Sequence, residues 1–288
     1  MSVIMKGAEV AAAMKQELRG ELDALGQKGI IPCLGIIRVG ARPDDLAYER
    51  SAMKKLGGLG IRCKVFELPE LIGQADFERA FAAVNDAPDV HGILLFRPLP
   101  GHLNEEAVKN AIHPRKDIDC MSPINIAKVF AGDSTGFAPC TPEAVIEVLD
   151  HYGIDLQGKR VTLVGRSMVV GKPLAMLLVK RNATVTLCHT KTKDLPATCR
   201  NAEVLIAAAG QANMITKEYV SENSVVVDVG INVDSEGNLC GDVQFASVAS
   251  QAAYITPVPG GVGTVTSSVL AKHVVRAAQH AVYTPHHG

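Results

Sequence analysis

The stretch VTLVGRSMVVGKPLAMLL, residues 161–178, decides the fold. A run of apolar residues ends at Gly165, and Gly171 opens a second apolar run at helical spacing. The spacing is Gly-x-Ser-x-x-x-Gly. A glycine turn between a buried strand and a helix brings backbone N–H groups and a helix N-terminus close to a pyrophosphate. A plain tight turn is the alternative for the motif alone. Its place at the first strand–helix turn of an α/β unit favours the dinucleotide reading.

The next strand, ATVTLC (183–188), carries the choice of cofactor. An NAD site usually has an acid at this strand end, bonding the ribose 2′-hydroxyl. Here the chain continues His189-Thr190-Lys191-Thr192-Lys193, with no acid. Hydroxyls, a histidine and lysines suit a 2′-phosphate, as does Arg166 from the glycine turn. A solvated basic loop is the plainer alternative. The reading adopted is NADP.

Farther out, EVLIAAA (203–209), VVVDVG (225–230) and YITPV (254–258) read as strands, and 262–282 as a helix. Upstream, 141–151 reads as a connecting helix with Thr141 as N-cap and Pro142 in its first turn. The first half alternates in the same way. Helices at 7–27, 43–59 and 74–86 separate strands at 33–39, 62–68 and 91–96. Such alternation predicts parallel sheets with helices on their faces. The expected fold is α/β with two domains. Residues 1–140 form the first, with a closing helix, 264–288, packing back on it. Residues 141–263 form a Rossmann-like second domain.

Composition narrows the function. Of 288 residues, 47% are hydrophobic, enough for a sizeable core. The net charge of -1 leaves no basic excess for a nucleic-acid backbone, and aromatics at 4% leave few stacking platforms. No apolar run approaches the ~20 residues of a membrane helix. Seven scattered cysteines without a CxxC pair argue against a disulfide framework and against zinc. His286-His287 are read as a frayed tail, so no metal is expected. A soluble, cytoplasmic, globular protein is the expectation.

These pieces belong to a longer pattern. Val39-Gly40 before Tyr48, HGILL and PLP within 91–100, PRKDID (114–119), GFAPCTP (136–142), VGRSMVVGKPLAMLL (164–178), VVDVGIN (226–232), GDV (241–243) and ITPVPGGVGTVT (255–266) occur in that order. The chain resembles the methylenetetrahydrofolate dehydrogenase/cyclohydrolase family of FolD-type enzymes. The resemblance implies two domains flanking a cleft, usually a homodimer, NADP on the second domain and a folate substrate. It implies oxidation of 5,10-methylenetetrahydrofolate to the 5,10-methenyl form, then hydrolysis to 10-formyltetrahydrofolate. By the same resemblance Tyr48 and Asp119 meet the substrate, and Asp119 accepts N–H donors of the pterin ring. Pro259, Gly260 and Gly261 line the substrate side. Gly165, Arg166, Ser167 and Thr190 hold the cofactor, and Ile231 meets its nicotinamide end through backbone. Without the resemblance, a turn cap is the ordinary reading of Asp119.

The chain departs from the family at the hydrolytic step. The family pattern Tyr-x-x-x-Lys puts both groups on one helix face. Here the residue four after Tyr48 is Ala52, and the family's Gln position is Phe96. Arg50 is too basic to accept a proton. Lys54 lies about 120° from the Tyr48 face, whereas Lys55 returns close to it two turns on. Glu49 and Arg97 are the other charged neighbours, and a solvated charged surface is the alternative for all five. Two readings follow: a dehydrogenase with weakened hydrolysis, or a bifunctional enzyme with a replacement group such as Lys54. An NADP dehydrogenase for another small substrate and a non-enzymatic NADP-binding protein are the competing classes.

Overall fold

A computed structural model describes residues 2–283. The expected end of the closing helix, 284–288, and His286-His287 fall outside the described residues. The chain divides into two compact units. One comprises the residues up to Ala13 with Pro139–Thr266, and the other Met14–Ala138 with the chain from Ser267 onward.

The chain opens with a two-residue strand, β1 (Val3–Ile4), and the helix α1 (Gly7–Gly26). Val10, Met14, Leu18 and Leu25 are buried along one stripe of α1, at the helical spacing of its apolar residues. Then β2 (Cys33–Val39), α2 (Pro43–Gly57), β3 (Arg62–Leu68), α3 (Gln74–Asp86) and β4 (Gly92–Leu95) build a three-stranded parallel sheet in the order β3-β2-β4. The central strand β2 is buried at every residue, which its apolar run CLGIIRV requires. Its one charge, Arg38, pairs with Glu49 at 3.0 Å and Glu67 at 2.6 Å. Two short helices follow, α4 (Glu105–Ala111) and α5 (Pro123–Ala131). Neither was expected. Their starts are marked by Asn104 and Ser122, whose side chains accept the N–H of Ala107 and Asn125.

The second half begins with α6 (Cys140–His151), which starts one residue before the expected cap Thr141. It continues through β5 (Arg160–Val164), α7 (Gly171–Lys180), β6 (Thr184–Cys188), α8 (Leu195–Arg200), β7 (Val204–Ala207) and β8 (Val225–Asp228). A small antiparallel hairpin, β9 (Asn232–Val233) and β10 (Leu239–Cys240), precedes α9 (Phe245–Val248), β11 (Tyr254–Ile255) and α10 (Val262–Tyr283). The large sheet is six-stranded and parallel, in the order β1-β11-β8-β7-β5-β6. The strand read at 254–258 ends at Ile255; Thr256 still donates to the Val226 carbonyl at 3.1 Å, and Pro257 has no N–H to continue the ladder. The N-terminus departs from the expected boundary. Val3 and Ile4 lie opposite Tyr254 and Ile255 in the large sheet, so the first residues belong with the later unit rather than with 1–140. No helix among the described residues is long and apolar enough to cross a membrane.

Candidate active site

Strand order positions the first part of the site. The chain leaves β5 for β6 on one side and returns to β7 on the other. The order therefore reverses between β5 and β7, and ligands of open parallel sheets bind at the strand C-termini of such a point. Gly165 follows β5 and Ala208 follows β7. Gly165 has φ 125°, which is the glycine region, and a Cβ there would overlap the Ala208 carbonyl oxygen. A Cβ on Gly171 would overlap the Gly165 carbonyl oxygen. Both glycines of the motif are therefore required by close approach of backbone. Ser167 turns its hydroxyl back, accepting from Val170 N at 3.1 Å and Gly171 N at 3.4 Å at the start of α7. Arg166 and Ser167 are exposed.

Thr190 is exposed on the turn after β6. That turn is closed by the Thr192 hydroxyl, which accepts His189 N at 2.9 Å, and by His189 Nδ1, which accepts Lys191 N at 3.0 Å. It is joined to the glycine turn by Gly165 N donating to the Cys188 carbonyl at 2.9 Å. The residues fit a dinucleotide: a cradle that any Cβ would fill, a helix N-terminus beyond it, and a hydroxyl-and-lysine turn alongside.

A cavity of about 210 Å³ in the same unit brings together Ile231, Pro259, Gly260 and Gly261. Its wall also includes Asp228 and Gly230. Gly7 N donates to the Gly260 carbonyl at 2.8 Å, and a Cβ on Gly7 would overlap the Gly261 carbonyl oxygen. The N-terminal segment thus backs the Pro-Gly-Gly loop, a contact without a local signature in the sequence.

Sequence reasoning missed two buried carboxylates, Asp228 in the wall of this cavity and Asp242, whose backbone N–H bonds to it. Asp228 accepts N–H bonds from Gly230 (2.9 Å), Asp242 (3.0 Å) and Val243 (2.9 Å). Asp242 accepts from Ala209 (2.6 Å), Gly210 (3.0 Å), Gln211 (2.8 Å) and the Asn232 amide (2.9 Å). Burial pushes the Asp228 carboxyl up to about 6, against the pull of its three N–H donors, and the charge of Asp242 adds to the rise. An acid ending the apolar strand VVVD was the available signal.

The other unit carries Tyr48 and Asp119. Tyr48 is exposed on α2, with its ring edge-on to Phe96 at 5.8 Å between centroids and 72° between planes. Ala52, one turn along, is 2% exposed. The other charged candidates are distributed as follows. Glu49 holds Arg38, Arg97 lies 3.4 Å from Glu105, and Lys54 and Arg50 are exposed. The Lys55 ammonium donates to the Ser267 hydroxyl at 3.0 Å.

The turn-cap role considered for Asp119 is filled by Asp117. Its buried carboxylate accepts Met121 N at 2.8 Å, Ser122 N at 2.9 Å and the Asn125 amide at 2.9 Å. Asp119 is half-buried, and Cys120 beyond it has φ 57°. His273, fully buried, donates from Nδ1 to the Ile118 carbonyl at 2.7 Å and so holds this segment from α10. Among the described residues no group of three or more acids, histidines and cysteines is arranged to hold a metal.

The fold and the glycine turn define a dinucleotide-binding α/β protein. Comparison with known proteins narrows the class. The NAD(P)-binding domain of tetrahydrofolate dehydrogenase/cyclohydrolase matches residues 139–282, and the catalytic domain of the same enzymes matches residues 5–119. The "Bifunctional protein FolD" of Clostridioides difficile (strain 630) is 56% identical over 276 residues, 96% of this chain and 96% of its own length. The crystal structure of the bifunctional enzyme FolD from Campylobacter jejuni superposes with a TM-score of 0.94 at 39% identity, covering 97% of this chain and 99% of that one. The Trypanosoma brucei dehydrogenase-cyclohydrolase, complexed with NADP cofactor and inhibitor, gives a TM-score of 0.90 at 36% identity over 98% and 99% of the chains. The chain belongs to the tetrahydrofolate dehydrogenase/cyclohydrolase family.

Proposed function

We propose that the protein oxidises 5,10-methylenetetrahydrofolate to 5,10-methenyltetrahydrofolate with NADP, and that its hydrolysis of the methenyl product is weak. The observation that carries the first half is the Gly165–Gly171 cradle at the reversal point of a six-stranded parallel sheet. Bound NADP would supply the hydride acceptor. The protein's own task is then positioning, because the two nitrogens flanking the methylene carbon stabilise the cation left when hydride departs. No strong general base is required.

Gly165, Arg166 and Ser167 hold the diphosphate region in this reading. Thr190 and the neighbouring lysines take the 2′-phosphate, with a point charge and hydroxyl donors in place of an acid. The backbone at Ile231 faces the nicotinamide end. Asp119 accepts the pterin N–H donors, a task suited to a carboxylate because it can accept two hydrogen bonds. Pro259, Gly260 and Gly261 offer backbone that a flat ring can approach closely.

Hydrolysis asks for more: water adds to the methenyl carbon, the ring opens to 10-formyltetrahydrofolate, and one proton is released. Around Tyr48 the expected amine and amide are replaced by the buried methyl of Ala52 and the ring of Phe96. A second reading keeps the reaction. It is supported by the relatives called bifunctional and by Lys55, whose ammonium is held by Ser267 at 3.0 Å. Purified protein is given methylenetetrahydrofolate and NADP in one assay and methenyltetrahydrofolate alone in another. Reduction of NADP with methenyl loss at the enzyme-free rate is the expected result. Accelerated loss overturns the second half of the proposal, and Lys54→Ala and Lys55→Ala then identify the replacement group. Absence of NADP reduction overturns the first half.

A further inference from the structure

We propose that Asp228 and Asp242 are positioning residues that together set the backbone presented to the nicotinamide end of the dinucleotide. The inference rests on the reading of the glycine turn as a dinucleotide site.

The two carboxylates receive seven N–H donors between them, and six of these are backbone. The donors come from three separate segments: the turn after β7, the turn after β8 and the residues after β10. The hairpin between them has strands of only two residues each. The carboxylates join them. Asp242 is 0% exposed and Asp228 3%, so bulk water does not compete for these bonds.

Space is as tightly specified as hydrogen bonding. A Cβ on Gly230 would overlap the Asp242 carboxylate, and a Cβ on Gly241 would overlap that of Asp228. Neither glycine has positive φ, so room rather than conformation requires them. The result reaches the cavity from two sides. Asp228, Gly230 and Ile231 form one wall. Asp228 N also donates to the Thr256 hydroxyl at 2.7 Å, and Thr256 leads directly into Pro257 of the opposite wall.

The arrangement also directs anions elsewhere. The N–H groups of Ala209, Gly210 and Gln211 converge as a phosphate-binding turn does, but Asp242 fills that turn with the protein's own negative charge. A cofactor phosphate is thereby left to the turn at 165–171. Ala208, beside which Gly165 packs, begins the same segment, so Asp242 supports the cradle from behind.

The test compares NADP with adenosine 2′,5′-bisphosphate, which carries the adenine end but no nicotinamide. Binding of both is measured by calorimetry to the wild-type protein, to Asp242→Asn and to Asn232→Ala, with circular dichroism to check folding. Asp242→Asn is expected to weaken NADP about tenfold, the scale of one charge-assisted hydrogen bond, and to lower turnover at saturating NADP. The bisphosphate affinity stays within about twofold. Asn232→Ala removes a single donor and is expected to weaken NADP about threefold in the same pattern, which decides the matter if Asp242→Asn fails to fold. Unchanged NADP binding, or equal loss of both ligands, overturns the proposal and leaves the dinucleotide reading intact. A wild-type protein that binds neither probe overturns that reading itself.

Discussion

The ring of Phe96 stands edge-on to that of Tyr48, 5.8 Å between centroids, where the resemblance led us to expect a glutamine. One turn from Tyr48, Ala52 points its methyl inward at 2% exposure. The paired change Ala52→Lys with Phe96→Gln should therefore raise methenyltetrahydrofolate hydrolysis by about a hundredfold, the lower end of general acid–base effects. Stability should fall by about 1–3 kcal/mol, because a buried methyl becomes a charged chain. Hydrolysis rates and urea unfolding of the double variant check both statements. A rate equal to wild type shows that the lost groups do not limit this reaction.

Gly165→Ala should abolish NADP binding and destabilise its unit by roughly 3 kcal/mol or more, since φ 125° and the Ala208 carbonyl both exclude a Cβ. Gly158 is the control. It has φ 73° but nothing within 4 Å of a built Cβ. Gly158→Ala should cost about 1 kcal/mol of backbone strain and leave NADP affinity unchanged. Thermal melting with and without NADP separates the two.

Thr190→Asp places a carboxylate on the turn after β6. Preference for NADP over NAD should fall by about tenfold or more, because the new charge repels a 2′-phosphate and accepts from a ribose hydroxyl. The ratio of kcat/KM values for the two cofactors reports it. An unchanged ratio would move the discriminating contact to Arg166 and the lysines.

Asp228 makes stability pH-dependent in a defined direction. Its folded pKa, about 6, lies above its ordinary value of 3.8, with burial the first cause. Between these values the folded protein holds a proton that the unfolded chain releases, so the contribution of this group falls as pH rises from about 4 to about 6 and is flat above. The loss is about 3 kcal/mol. The titratable groups facing it are Asp242 and the Cys240 thiol, itself raised by burial and by nearby carboxylates. Asp228→Asn should lose this slope, and the stability difference between the two proteins across that range measures it.

Much of this was legible in one dimension. The apolar runs ending at Gly165 and Asp228 read as buried parallel strands because both faces of such a sheet are covered, and β5 and β8 are indeed buried almost throughout. The glycines of the turn could be read for the same reason: only close backbone approach makes two of them necessary. What could not be read was partnership at a distance. Asp117 and Asp119 are two residues apart in one tetrapeptide, and only the return of Asn125 and the turn at Met121 decides that the former is the cap. Asp242 collects donors from residues 31–33 and 10 positions upstream, a convergence with no local signature. The strand β1 is too short for any periodicity, and its partner lies 251 positions on (Val3 to Tyr254).

That last pairing has a consequence for how the protein is made. Val3 and Ile4 are made well before their partners Tyr254 and Ile255, which follow 251 positions later in the chain. The outermost strand of the large sheet must wait for its neighbour while everything between is built. The loop at Pro259–Gly261, backed by Gly7, waits with it. A chain cut short after residue 250 and released from the ribosome should show β5, β6, β7 and β8 resistant to protease while its first residues remain open to cleavage. The nascent enzyme then acquires this sheet edge and its glycine loop in a single late event, joining an early segment of the chain to a much later one.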